Sequence, residues 1–300
     1  MKLSRFEYLA PRSMKELLGM LAEHGRHARI LAGGQSLLPS MKIGLLEPGS
    51  LIDINAVEEL SYVRKENGTL RIGALARHRE VETSELARSH SPLLAAAISS
   101  IGSLAVRNRG TIVGSLVNAD PRAELPVVAV ALDAEIVVID AKGEEHAIAA
   151  ADFFIDRYRT SLKPGQMVLE VRVPSSAKDT GWAFLKMEHR PGEFGHATAA
   201  ATVRLRPDGT LTECRLVLGG LGATPIRLVE SETSLEDESP VEAVLQRVGE
   251  TARSSVSADD DADLSLAFRQ HLAAVLARRS VVTAAERATP GILRPEGSQP

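Results

Sequence analysis

The chain has 300 residues, 44% of them hydrophobic, which is enough apolar material for two packed domains and argues against a disordered or fibrous protein. Its 35 basic and 39 acidic residues are interspersed and sum to −4, so no polycationic surface is available to neutralise a nucleic-acid backbone. Cys214 is the only cysteine, which excludes internal disulfides, a thiolate zinc site and any iron–sulfur cluster held by this chain alone.

No stretch approaches the ~20 apolar residues of a membrane span. The N-terminus, MKLSRFEYLAPRSMKELL, lacks the apolar core of a signal peptide, so the expected location is the cytoplasm.

Ser13-Met14-Lys15-Glu16 reads as a capping box, and Met14, Leu17, Leu18 and Leu21 then recur at helical spacing until Gly25. Ala28 to Leu31 suits a buried strand. It runs into Ala32-Gly33-Gly34-Gln35-Ser36-Leu37-Leu38-Pro39, read as a turn whose glycines let a ligand approach the backbone. Strands are expected at Leu51 to Ile54 and Leu70 to Ala74, then helices at His78 to Ala87 and from Pro92 to Gly102.

A second glycine-bearing loop is expected from Arg107 to Pro121, RNRGTIVGSLVNADP, rich in small and hydroxyl residues. Ala134 to Asp140 and Ala147 to Ala149 flank Lys142-Gly143 as a hairpin, and Val168 to Val173 adds a strand. The polar stretch Ser175 to Thr180 is the expected domain boundary. Beyond it, Trp182 to Glu188, Thr198 to Arg206 and Thr212 to Leu218 read as strands, with a turn at Pro207-Asp208-Gly209-Thr210. Helices near Pro240 to Ala252 and Leu264 to Arg279 would cover that sheet. The proline- and charge-rich tail, 284–300, is expected to be mobile or draped on a partner.

A glycine turn after a strand presents consecutive N–H groups that form a nest for a phosphate, though such turns are more often only turns. The chain has neither G-x-x-x-x-G-K-[ST] nor a G-x-G-x-x-G between strand and helix, which removes a P-loop and a dinucleotide fingerprint. Two glycine-bearing loops bounded by core strands instead suggest a clasp around one extended cofactor.

AGGQSLLPSMK and RNRGTIVGSLVNADPRAELPVVAVALDA resemble the two FAD-binding segments of the medium subunits of the bacterial carbon monoxide dehydrogenase and xanthine dehydrogenase family. The likeness continues through DFFIDRYRTSLKPGQMVLEVRVP, FLKMEHRPGEFGHATAAATVRL and LGGLGATPIR. It implies an α+β chain: a vanillyl-alcohol-oxidase-type (PCMH-type) FAD-binding domain over 1–176, with two α/β subdomains at about 1–58 and 59–176, then a smaller α+β domain over 177–283.

The resemblance further implies non-covalent FAD that takes electrons from iron–sulfur clusters on a small subunit, themselves reduced at a molybdopterin centre on a large subunit, in a dimer of heterotrimers. Ala32, Gly33, Gly34, Gln35 and Ser36, with Leu37 beside them, would hold the pyrophosphate. Thr111, Gly114, Ser115, Asn118 and Asp120 would line the second segment. Ile101 and Leu162 would pack on the cofactor, Lys186 would stabilise negative charge on the reduced ring, and Phe194 would shield one ring face.

From chemistry alone Asp120 is equally a turn-stabilising residue before Pro121, Lys186 a solvent-facing lysine and Phe194 a core aromatic. Val113, Asn118 and Gly44 depart from the family pattern, where a second glycine, a histidine and an arginine are common; Val113 is expected to bear on how closely the backbone meets FAD. A free-standing flavin oxidoreductase and a non-catalytic nucleotide-binding scaffold are the alternative readings.

Overall fold

The computed structural model describes residues 3–177, 179–257 and 264–288. The first unit is small and parallel. β1 (Glu7–Leu9) leads into α1 (Met14–His24), which returns the chain to β2 (Ala28–Leu31). Ser13 caps α1 by accepting from the Glu16 amide, while the Glu16 carboxylate reaches back to the Arg12 amide. After α2 (Leu37–Lys42), β3 (Ser50–Asp53) inserts between the first two strands in the order β1-β3-β2. The turn expected through Pro39 therefore ends at Ser36: Pro39 lies in the first turn of α2, where its missing N–H is tolerated.

The second sheet is antiparallel and runs β4-β5-β10-β6-β7. It comprises β4 (Val63–Glu66), β5 (Thr69–Gly73), β6 (Glu135–Asp140), β7 (Glu145–Ala149) and β10 (Gln166–Val173); the two-stranded ribbon of β8 (Phe154–Asp156) and β9 (Arg159–Thr160) lies outside it. The excursion between β5 and β6 is helical.

Two expectations change in that excursion. The single helix expected over His78 to Ala87 is two, α3 (His78–Thr83) and α4 (Glu85–His90), because Ser84 is extended and caps the Ala87 amide. After α5 (Pro92–Ser99), the expected loop over 107–121 is mostly helix: α6 (Leu104–Arg109) and α7 (Ile112–Asn118), broken only at Gly110-Thr111. The apolar residues Ile112, Val113 and Leu116 are spaced to bury one face of α7 in the core, which overrides the loop-like look of its small residues. Then come α8 (Glu124–Ala131) and the single turn α9 (Ala150–Phe153).

The last sheet is β11 (Gly181–Met187), β12 (Ala197–Leu205), β13 (Leu211–Gly219) and β14 (Ile226–Arg227), in that order. Helices α10 (Val229–Leu235), α11 (Glu242–Ser254) and α12 (Leu266–Ala288) follow. The buried run Ala197 to Val203 is explained by cover on both faces. Ala199, Ala201, Leu216 and Leu218 join the core under α11 and α12, whereas Ala200 and Val217 join the core of the first two sheets, as the two-residue period requires. Small residues allow both helical layers close: a Cβ on Gly181 would overlap the Ala284 carbonyl of α12, and one on Gly219 would overlap Val127 of α8.

Helix α12 carries the chain through Ala288, so the first residues of the expected tail are helical, and 289–300 lie outside the described residues. No described helix is long and apolar enough to cross a membrane.

Candidate functional site

The turn after β2 is shaped by Gly34, whose φ of 71° lies in the left-handed region. The amides of Gly33, Gly34, Gln35 and Ser36 donate to no protein acceptor among the described residues. Four consecutive N–H groups left free in this way form an anion nest. The Gln35 side chain folds back onto the Gly33 carbonyl at 3.3 Å, and Leu37 opens α2.

Gly33 is also where the two glycine-bearing segments touch. A Cβ there would overlap the Arg109 carbonyl oxygen and stand 2.8 Å from Gly110 Cα. Beyond Gly110, Thr111 caps α7: its buried hydroxyl accepts from the Gly114 amide at 3.0 Å, and its carbonyl accepts from the Ser115 amide at 3.1 Å. Gly114 is exposed, whereas the neighbouring Val113 side chain is buried in the core, so the bulk at that departure from the family pattern points away from the exposed face.

Asn118 ends α7, and Ala119 takes a left-handed φ of 47° that turns the chain. Asp120 then uses both carboxylate oxygens locally. Oδ1 accepts from the Arg122 amide at 2.9 Å, and Oδ2 accepts from the Tyr158 hydroxyl at 3.2 Å. The turn-stabilising arrangement is present; the remaining lone pairs can still accept from a ligand.

A second grouping forms where the last sheet meets α5. Lys186 Nζ, on a side chain only 5% exposed, lies 2.8 Å from Glu124 Oε1 and 2.7 Å from Glu188 Oε2, and donates to the Ser100 carbonyl at 3.1 Å. It is therefore buried and ion-paired, not the solvent-facing lysine that its residue type alone would allow. Burial pushes the Glu124 carboxyl above the usual range even though Lys186 draws it down. Ile101 is buried at the edge of the core, and Arg107 NH1 pins the Ile101 and Gly102 carbonyls at 2.9 and 3.1 Å. A Cβ on Gly192 would stand 2.9 Å from the Gly102 carbonyl, so the loop carrying the exposed Phe194 ring lies against Gly102. Leu162 is partly buried against the first core.

The sequence-predicted residues thus fall into two groups. Ala32 to Leu37 meets the Gly110-Thr111 turn, while Ile101, Lys186 and the loop carrying Phe194 gather around residues 100–102; Leu162 and Asp120 join neither group. Helix α6, about 9 Å long, spans the gap between Gly102 and Gly110.

Several residues that build the site carry no motif. Asn55 Nδ2 donates to the Ala32 carbonyl at 2.9 Å, and Arg77 donates to both Asn55 Oδ1 at 2.5 Å and the Arg109 carbonyl at 2.7 Å. His78, buried, bonds Nε2 to the Thr111 carbonyl at 2.9 Å, and its amide donates to the Gly110 carbonyl at 2.9 Å.

Burial pushes the His78 imidazole down to about 4, helped by the nearby Arg107 and Arg77 charges and opposed by the Thr111 carbonyl. It is neutral in the fold, and its contribution is complete above about pH 6.5 and lost as pH falls through about 4, roughly 3 kcal/mol in all. Urea unfolding of wild type and His78→Gln from neutral to acid pH should show the shallower acid loss in the variant, whose amide still donates to Thr111. Parallel curves would reject this role.

The chain was compared with known proteins. The model described as "FAD binding domain in molybdopterin dehydrogenase" matches residues 4–176, and that described as "CO dehydrogenase flavoprotein C-terminal domain" matches 182–284. Caffeine dehydrogenase subunit beta of Pseudomonas sp. (strain CBB1) is 34% identical over 96% of this chain and 97% of its own. The carbon monoxide dehydrogenase medium chain of Hydrogenophaga pseudoflava is 32% identical over 92% of this chain and 96% of its own. In a solved carbon monoxide dehydrogenase from that organism, a chain superposes with a TM-score of 0.92 at 32% identity, covering 96% of this chain and 99% of that one.

Proposed function

The chain belongs to the family of FAD-binding subunits of molybdopterin dehydrogenases, and from that premise we propose which of its residues hold the cofactor and which partners it serves. It is the FAD-binding electron-transfer component of a molybdenum hydroxylase, an oxidoreductase subunit. When bound, FAD supplies the redox chemistry, taking up electrons and passing them to an external acceptor.

The observation that carries the residue assignment is the run of free amides from Gly33 to Ser36, braced against Arg109-Gly110. Such a nest suits a diphosphate, so the residues present fit FAD. In this reading Ala32 to Leu37 orient the pyrophosphate. Thr111, Gly114, Ser115 and Asn118 hold the second segment, largely through backbone donors and short side chains, and Asp120 accepts from a cofactor hydroxyl while anchored by Tyr158.

Ile101 and Leu162 supply apolar contact, and the Phe194 ring excludes water from one flavin face. Lys186 acts by holding the Ser100 carbonyl beside Ile101, since its charge is already matched by two carboxylates. On the same reading, 1–176 is the FAD-binding domain and 177–283 the C-terminal domain.

The partners we assign are a small iron–sulfur subunit and a large molybdopterin subunit in a dimer of heterotrimers in the cytoplasm. Both relatives described above are named as one chain of a larger enzyme, and one cysteine cannot hold a cluster here. The chain purified alone should show a flavin absorption spectrum and release about one FAD per chain in acid, as expected for a preformed cofactor site. A colourless chain that also failed to take up added FAD would overturn the assignment.

A further inference from the structure

We propose that Asn55 and Arg77 form a positioning clamp that sets the spacing between the two FAD-holding segments. The inference rests on the FAD reading above and adds to it two residues that act through the backbone of those segments.

Gly33 lies against Arg109-Gly110, and the atoms nearest its missing side chain are backbone. Each side of that contact is gripped at a carbonyl: Asn55 holds the carbonyl of Ala32, the residue before Gly33, and Arg77 holds the carbonyl of Arg109 itself. The two grips are joined directly by the 2.5 Å bond from Arg77 to Asn55 Oδ1. One continuous chain of hydrogen bonds therefore runs from Ala32 through Asn55 and Arg77 to Arg109.

The clamp is anchored at both ends. Asp53 accepts from the Asn55 amide at 3.0 Å and from Asn55 Nδ2 at 2.5 Å, and in turn accepts from the Tyr8 hydroxyl at 2.6 Å, which ties it to β1 and β3. At the other end Arg77 pairs as an isolated bridge with Thr111, and the Ile112 amide donates to the Ala76 carbonyl. Arg77 is suited to this task because its planar fork reaches two acceptors at once, which a lysine cannot do in the same geometry. A nest binds tightly when its amides are already aimed, so holding the spacing lowers the ordering cost of binding.

The test is flavin titration of the full-length chain, stripped of cofactor, followed by fluorescence quenching. Asn55 is exposed, so Asn55→Ala opens no core cavity, and the cofactor-free variant should unfold at the wild-type midpoint. FAD binding should weaken about tenfold or more, the loss expected for one removed link in a polar chain. Arg77→Lys, which keeps the charge, should lose a similar factor. The double variant should lose little more than the worse single, because both act through one chain.

Tight binding by Asn55→Ala, or losses that multiply in the double variant, would overturn the clamp while leaving the FAD assignment standing. If Arg77→Lys fails to fold, Asn55→Ala decides by itself. A wild-type chain that takes up no FAD would remove the functional reading and the clamp together.

Discussion

Gly33→Ala should leave a folded chain that purifies without FAD. The added methyl would overlap the Arg109 carbonyl oxygen and approach Gly110 Cα, and both are backbone atoms that cannot rotate aside. One segment must therefore shift. Overpacking of this kind costs about 1–3 kcal/mol in stability, within reach of a domain of this size, but the displacement falls on the free amides to which the pyrophosphate is assigned above. A loss of 10²-fold or more in FAD affinity follows, equivalent to about 3 kcal/mol.

Gly49 supplies the control: it too lacks a positive φ, and nothing stands within 4 Å of its missing side chain. Gly49→Ala shares the change in chain flexibility but not the clash, so it should retain wild-type FAD. The two variants are compared by the ratio of flavin to protein absorbance after gel filtration. Equal ratios would show that the contact at Gly33 does not govern binding.

Lys186→Met should be strongly destabilising. Removing the ammonium leaves Glu124, almost fully buried, beside Glu188 with no cation between them, and breaking one partner of a buried ion pair costs about 3–5 kcal/mol. The penalty depends on pH in a defined direction. Glu124 already titrates above its unfolded value, so its contribution is greatest below the unfolded pKa and declines as pH rises through the folded one.

Without Lys186 that rise in pKa is larger. The gap between wild type and variant should therefore be smaller at about pH 5 than at about pH 8. Denaturant midpoints at the two pH values measure it. Lys186→Met combined with Glu124→Gln should recover most of the loss. A gap that is constant with pH, or a double variant no more stable than the single, would show that packing and not charge is responsible.

The glycine turn after β2 and most strands were legible because they depend on local signals: period-two alternation, caps and turn residues. Ser13 and Gly209 illustrate this, for each performs the turn or cap its type dictates. The helices α6 and α7 were misread as loop because Gly110, Thr111, Gly114 and Ser115 look like punctuation, and only burial of Ile112, Val113 and Leu116 shows otherwise. The clamp was illegible for a different reason. Asn55, Arg77 and Arg109 lie far apart in the chain, and a carbonyl acceptor leaves no trace in residue identity. The same holds for Glu124 at the start of α8, whose partner Lys186 lies far along the chain on β11 and could be judged from sequence only as a lone basic residue.

The seam at residues 100–102 also fixes an order of assembly. Ser100 and Gly102 are translated well before the strand and loop that close on them, which carry Lys186 and Gly192. An emerging polypeptide can therefore build its first two sheets while that wall of the cradle is still missing. On the assignment proposed above, a chain terminated before Lys186 should carry flavin poorly even though it includes Ala32 to Asp120.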